Sequence, residues 1–177
     1  MTESRHPVAQ RMILRTATSA DAPLLTRLAF ELAESTNQTE QISASAWEMK
    51  RYGGAEELPF RALIAECDGQ TVGYALFFDY YSTWHGPGFY LEDLYVRPNF
   101  RRRGIARALL GRVAAIAESD KRNFIRWAVL HCNQPALNLY RSSGASILEE
   151  WQLCCLPGSS LKLLAEQDSL RRQPTQR

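Results

Sequence analysis

The alternation of apolar and polar positions divides the chain into strands and helices that follow one another in a mixed order. Met12 to Ala17 reads as a short strand. The cluster Thr18-Ser19-Ala20-Asp21, followed by Pro23, supplies capping chemistry for a helix that carries Leu24, Leu25, Leu28 and Leu32 on one face. Residues 43 to 52 predict a second, shorter helix ended by Gly53-Gly54, with a role in shaping a pocket wall. Phe60 to Cys67 and Thr71 to Asp79 are rich in apolar and aromatic residues, and the Asp68-Gly69 pair between them favours a two-residue hairpin turn, so these strands are expected to be antiparallel neighbours. A further strand, Phe89 to Val96, ends at Arg97-Pro98. The helix after it carries Ile105, Leu109, Val113 and Ile116 along one stripe. Phe124 to Leu130 is strand-like, Pro135 to Ser143 predicts a short helix stopped by Gly144, and Ile147 to Leu156 predicts a last strand. The fold class implied is α/β, a mixed central sheet flanked by helices.

Length and composition narrow this picture. A chain of 177 residues fits one domain with one core. The domain is expected over residues 12 to 165, with residues 1 to 11 and 166 to 177, polar and rich in Gln, Arg and Pro, as flexible tails. The 21 basic and 19 acidic residues give a formal net charge of +2, which argues against a general nucleic-acid partner. The start of the chain lacks the apolar core of a secretion signal, and no apolar run approaches the ~20 residues that span a bilayer. No membrane partner and a cytoplasmic location are the expectation. Cys67, Cys132, Cys154 and Cys155 follow neither a zinc-ligand spacing nor a disulfide scaffold, so they read as reduced thiols, with Cys132 a small buried one, and no metal is expected. His85 and His131 belong to no nucleophile or metal constellation.

The chemistry concentrates where the strand ending at Val96 hands over to the helix starting near Ile105. Arg101-Arg102-Arg103-Gly104-Ile105-Ala106 puts arginines and a glycine at a helix N-terminus, where unpaired N–H groups and a partial positive charge can hold a phosphate. Gly104 permits close backbone approach, Ala106 keeps the first turn uncrowded, and the arginines add planar donors. A solvated basic cap on an ordinary amphipathic helix is the alternative reading of these six residues. The spacing differs from both the dinucleotide-binding and the nucleotide-hydrolysing glycine loops.

Arg101-x-x-Gly104-x-Ala106 resembles the Arg/Gln-x-x-Gly-x-Gly/Ala motif of the GNAT acetyltransferases. The preceding strand Tyr90-Leu91-Glu92-Asp93-Leu94-Tyr95-Val96 and the later Asn133-x-x-Ala136-x-x-x-Tyr140 look like that superfamily's companion elements. Similarity to the diamine N-acetyltransferases, which act on polyamines or thialysine, runs through Trp84, Tyr90 to Asp93, Asn133-x-Pro135, Asn138-x-Tyr140 and Gly144-Ala145-Ser146. The resemblance implies the GNAT fold, acetyl-CoA as co-substrate and a small-molecule primary amine as acceptor. It implies that the pyrophosphate of coenzyme A rests on backbone amides from Arg102 through Arg107, that pantetheine runs along Leu94, Tyr95 and Val96 as an added strand would, and that Asn133, Gln134, Pro135 and Ala136 contact the cofactor. It also implies a homodimer, to which the apolar residues 151 to 156 can contribute.

An alkyl amine has a pKa of roughly 10 and is almost wholly protonated near neutrality, so attack on a thioester calls for a proton acceptor. Simple alternation puts Glu92 on the side of Leu94 and Val96, as base or as a carboxylate that attracts the cationic amine, and turns Asp93 the other way, toward a structural role such as pairing with an arginine. Departure of the thiolate calls for a proton donor. Tyr140, seven residues after Asn133 and four after Ala136, shares their helical face and is the candidate. Trp84, Arg126, Trp127, Ala128 and Glu150 are expected to line the amine site. Where the diamine enzymes carry a Tyr-Glu pair at the end of the first helix this chain has Ser35-Thr36, a departure that weighs against strict polyamine specificity. Diamine-like amines remain the leading substrate class, with amino acids such as lysine analogues close behind, since Glu92 and Glu150 suit a cationic amine. Two alternatives stand beside the small-amine enzyme: acetylation of a protein N-terminus or lysine, and a non-catalytic acetyl-CoA-binding regulatory module.

Overall fold

The computed structural model describes residues 11–39 and 59–172, and these divide into two compact units between Leu139 and Tyr140. The helix expected over residues 43 to 52 lies outside the described residues.

The first unit is built on a five-stranded sheet in the order β1-β2-β3-β4-β5: β1 Met12–Thr16, β2 Arg61–Cys67, β3 Gln70–Ser82, β4 Gly86–Val96 and β5 Ile125–Arg126. β1 to β4 are antiparallel neighbours, and β5 runs parallel to β4. The β2–β3 hairpin turns at Asp68 and Gly69, both with positive φ (49° and 77°), the geometry that makes an Asp-Gly pair fit a tight hairpin. β3 and β4 run longer than the apolar pattern implied. Their outer ends, carrying Tyr80, Tyr81 and Ser82 against Gly88, Pro87 and Gly86, are polar or short-chained, yet the ladder continues through them.

Helix α1 (Ala22–Ser35) starts at the expected cluster, with Thr18 and Asp21 forming a reciprocal capping box before it. Arg15 clamps the Asp21 carboxylate, and this hydrogen-bonded pairing holds the Asp21 carboxyl down at about 2. Leu25 and Leu28 of α1 pack with Ala62, Ile64, Tyr74, Leu76 and Tyr95 on one face of the sheet. Cross-strand pairing puts Leu63, Ala75, Phe77, Phe89 and Leu91 on the opposite face. Helix α2 (Ile105–Ser119) lies on that second face. Its buried stripe is Ile105, Leu109, Leu110, Val113 and Ala117, with Ile116 half-buried at the edge. Arg61, paired opposite Phe77, forms an ion pair with Asp120 just past the end of α2 and lies over the Phe77 and Phe89 rings.

Helix α3 (Gln134–Ser142) contains the boundary between the two units, and Gly144 (φ 87°) ends it as expected. Two expectations are corrected in what surrounds it. Only Ile125 and Arg126 of the stretch from Phe124 to Leu130 pair as a strand. The last predicted strand, Ile147 to Leu156, has no ladder. Trp151 and Leu153 are exposed (57% and 79%), because apolar alternation makes a strand only where a neighbouring edge accepts its hydrogen bonds. A last helix, α4 (Gly158–Arg172), reaches into the stretch expected as a tail from residue 166. Among the described residues no helix is long and apolar enough to cross a membrane.

Candidate active site

At β4 the sheet opens. β4 and β5 pair only at Phe89↔Ile125 and Tyr90↔Arg126, while β4 runs on to Val96, so among the described residues no strand pairs with that edge of β4 beyond Tyr90. The opening coincides with a bulge. Phe77 stands opposite Leu91 and Leu76 opposite Asp93, which leaves Glu92 as the extra residue on β4.

The bulge corrects the alternation argument for Glu92. Direct cross-strand partners share a face, so Leu91, opposite Phe77, and Asp93, opposite Leu76, point to opposite faces although they are two positions apart along the strand. Leu94 shares the α2 face with Ala75. The groups that feel the Glu92 charge are Tyr74, Tyr90 and Asp93, and these belong to the other face. Glu92 itself is exposed at the bulge. An extra residue shifts the two-residue period by one, which no count along the strand can foresee.

Among the described residues Asp93 pairs with no arginine; it accepts a hydrogen bond of 2.8 Å from the Tyr74 hydroxyl. Burial lifts the Asp93 carboxyl to about 6, with Glu92 adding to the rise and the Tyr74 hydroxyl opposing it. Burial and then the Asp93 charge push the Tyr74 hydroxyl well above the ordinary tyrosine range. The pair was missed from sequence, although a carboxylate flanked by Leu91, Leu94 and Val96 in an apolar strand is the signal that marks it.

The arginine loop follows β4. Arg102 and Gly104 both have positive φ (63° and 78°), and Gly104 is the N-cap of α2 with no side-chain cap, so the first N–H groups of the helix face outward from the loop unmet by a capping side chain. The arginines are already partly engaged: Arg101 Nε donates to the Val96 carbonyl at 2.9 Å with its guanidinium 6.0 Å from the centre of the Tyr95 ring, and Arg103 donates to the Asn99 carbonyl and lies over Phe100. Arg102 and Arg107 are exposed, Ile105 is buried and Ala106 half-buried. The loop can thus offer backbone amides at one helix end, with Arg101 fastening it to the end of β4. Arg97, between the two, is held by a two-point ion pair with Glu31 of α1 (2.7 and 2.8 Å) and by the Thr71 carbonyl.

Asn133 caps α3: its side-chain oxygen accepts from the Ala136 N–H and its carbonyl from Leu137. Gln134 and Pro135 are exposed in the first turn, and Ala136 is half-buried. Tyr140 is buried, and burial raises its hydroxyl above the ordinary tyrosine range, so it keeps its proton near neutrality. Arg126, Trp127 and Ala128 follow one another across the end of β5, the first two half-buried, and Trp84 is 72% exposed at the β3–β4 turn. Glu150 is exposed in a turn of the second unit rather than in a strand. Cys132 is exposed and not buried as expected; Cys67 is the buried thiol, and all four cysteines are free.

Comparison with known proteins fits this geometry. The chain is 36% identical over 166 residues to a thialysine N-epsilon-acetyltransferase of Bos taurus, covering 87% of this chain and 97% of the relative. A spermidine/spermine N(1)-acetyltransferase-like protein of Homo sapiens is 34% identical over 150 residues, 79% of this chain and 22% of that longer protein. Among solved structures, an integron cassette protein from V. cholerae superposes with a TM-score of 0.72 at 21% identity, covering 88% of this chain and 98% of the other, a likeness of fold. The family profile described as "Acetyltransferase (GNAT) family" matches residues 26–145. The chain therefore belongs to the GNAT acetyltransferase family, acyltransferases that depend on acetyl-CoA.

Proposed function

We propose that this enzyme transfers the acetyl group of acetyl-CoA to a primary amine of a small cationic molecule, a diamine, polyamine or lysine analogue, by direct attack. The observation that carries the reading is the open edge of β4 beyond Tyr90, with the Glu92 bulge at one end and the glycine-capped start of α2 beyond the other. An extended pantetheine arm fits an edge whose backbone groups lack a neighbouring strand. The amides from Arg102 through Arg107 suit a pyrophosphate. The relatives named for thialysine, spermidine/spermine and L-ornithine support the choice of acceptor.

Acetyl-CoA supplies an activated acetyl thioester, to which the amine nitrogen bonds as the carbon–sulfur bond breaks. The chain's residues handle the charges and protons. The exposed Glu92 carboxylate draws in the cationic amine and takes its proton, directly or through water; Tyr140, kept protonated by burial, gives a proton to the departing sulfur. A backbone N–H near Leu94 is the candidate donor to the carbonyl oxygen as it gains charge. Asn133 fixes the start of α3, and Gln134 to Ala136 complete the cofactor contacts. Trp84, Arg126, Trp127 and Ala128 complete the amine site, within a catalytic domain over residues 12 to 165.

A cytoplasmic location is proposed with this reading, since a reducing compartment suits the exposed free thiols of Cys132, Cys154 and Cys155. A homodimer is proposed, with the exposed Trp151, Leu153 and Leu156 buried against the second copy. The test of function is release of free coenzyme A in the presence of spermidine, putrescine, thialysine, lysine and a set of peptides. Amine-dependent release that falls about a hundredfold in Tyr140→Phe supports the assignment. Acetyl-CoA binding without turnover on any amine replaces it with a regulatory binding module, and turnover on peptides alone replaces the acceptor class.

A further inference from the structure

The geometry points to Arg126 as a specificity-determining residue that binds a carboxylate on the amine substrate, so that the preferred acceptor is an amino acid with a terminal side-chain amine rather than the corresponding diamine. The inference rests on the proposed small-amine acetyl transfer.

Arg126 is the last residue of β5 and stands directly opposite Tyr90 on β4, so its side chain emerges on the face that carries Tyr90, Phe78 and Tyr80. It is held there by rings. Its guanidinium lies 5.8 Å from the centre of the Tyr80 ring and 5.7 Å from that of Phe124, and those rings meet edge to face at 5.9 Å. Tyr80 also meets Tyr90, which stacks on Phe78 at 5.4 Å. The platform depends on Gly88, opposite Tyr80: a Cβ there would lie 2.5 Å from the Phe124 ring, so the ring occupies the space a side chain would fill.

Among the described residues the charge on this platform has no acidic match. Arg126 is half-buried, and among the described residues no carboxylate forms an ion pair with it, whereas Arg15, Arg61, Arg97 and Arg122 each pair with an acid. A guanidinium fixed against aromatic faces keeps its fork of N–H donors in plane and suited to two-point recognition of a carboxylate. Tyr90 feels both charges of the site: beyond the rise that burial gives its hydroxyl pKa, Glu92 raises it further and Arg126 lowers it. The residue thus lies between a carboxylate and a guanidinium. Along the strand, Glu92 is two residues beyond the Arg126 partner, a rise of about 7 Å, which a lysine-length side chain spans with its amine at Glu92 and its α-carboxylate at Arg126. A diamine offers Arg126 only a second cation, which repels it.

The test compares kcat/KM for lysine and for cadaverine, its counterpart without the carboxylate, in the wild type, Arg126→Gln and Arg126→Lys. Acetyl-CoA KM and thermal midpoint monitor the fold. The expected result is a wild-type preference for lysine of tenfold or more. That ratio falls at least tenfold in Arg126→Gln, through KM for lysine rather than kcat, and falls less in Arg126→Lys, which keeps the charge but not the fork. A wild-type preference for cadaverine, or a ratio that does not move in either variant, overturns the role of Arg126 and leaves amine acetylation standing. Turnover of neither amine by a wild type that binds acetyl-CoA overturns the small-amine reading, and this inference with it.

Discussion

Asp93 shows how far one residue can depart from its ordinary chemistry when a fold buries it. Its carboxyl is lifted to about 6 mainly by burial, so it takes up a proton in the folded state at a pH where the unfolded chain releases one. Since the folded pKa is raised, the stabilising contribution is full below about 4 and is lost as pH rises through about 6. Asp93→Asn keeps an oxygen to accept from Tyr74 but cannot ionise. Relative to wild type, its stability is expected to rise with pH between about 4 and 6 by on the order of 2 kcal/mol and then to level off. Urea unfolding at intervals from pH 4 to 8 reads this directly, and parallel curves for the two proteins would show that Asp93 does not titrate in that window. The opposite sign applies to Asp21, whose lowered pKa, set first by its hydrogen bond from Arg15, contributes stability above about pH 4 that disappears as pH falls through about 2.

Elements place these residues through their ends and irregularities. Gly73 stands opposite Val96, and a Cβ on it would lie 2.4 Å from the Tyr95 carbonyl oxygen, a backbone atom that cannot swing away. Gly73→Ala must push β3 and β4 apart beside the edge proposed for pantetheine. A loss of about 1–3 kcal/mol is expected, together with a raised KM for acetyl-CoA; thermal unfolding and acetyl-CoA titration measure the two effects. At Gly104 the reason is different. Nothing lies within 4 Å of an added Cβ, but φ is 78°, so Gly104→Ala meets no clash and strains only the backbone that leads into α2. A cost of roughly 1 kcal/mol follows, with weaker acetyl-CoA binding and little change in kcat at saturating cofactor. Unchanged KM for acetyl-CoA would remove the start of α2 from the cofactor site.

The whole molecule raises the question of what covers the apolar residues of the second unit. Leu148, Trp151, Leu153 and Leu156 are exposed, as are Leu161, Leu163 and Leu164 of α4, a density of exposed apolar side chains that favours association. With a homodimer formed through this region, sedimentation is expected to give twice the chain mass at micromolar concentration. Leu153→Glu, at a residue 79% exposed in the single chain, is expected to shift that mass toward the monomer without unfolding the first unit. A wild type that remains monomeric at those concentrations would leave this surface without its proposed partner.

The order of most strands and helices, the Asp68-Gly69 turn, the caps before α1, the Gly104 start of α2 and the Gly144 stop of α3 were legible in the sequence, because each rests on local chemistry: alternation, capping oxygens, and glycine or aspartate where φ is positive. The motif from Arg101 to Ala106 and the spacing from Asn133 to Tyr140 were legible for the same reason, as short patterns along one chain. What depends on a neighbour was not. Whether residues 147 to 156 form a strand depends on an edge to pair with, and the face presented at Glu92 depends on a one-residue bulge against β3. The Tyr74–Asp93 bond, the open edge of β4 and the ring platform under Arg126 arise only when strands far apart in sequence lie side by side, and tertiary structure alone decided them.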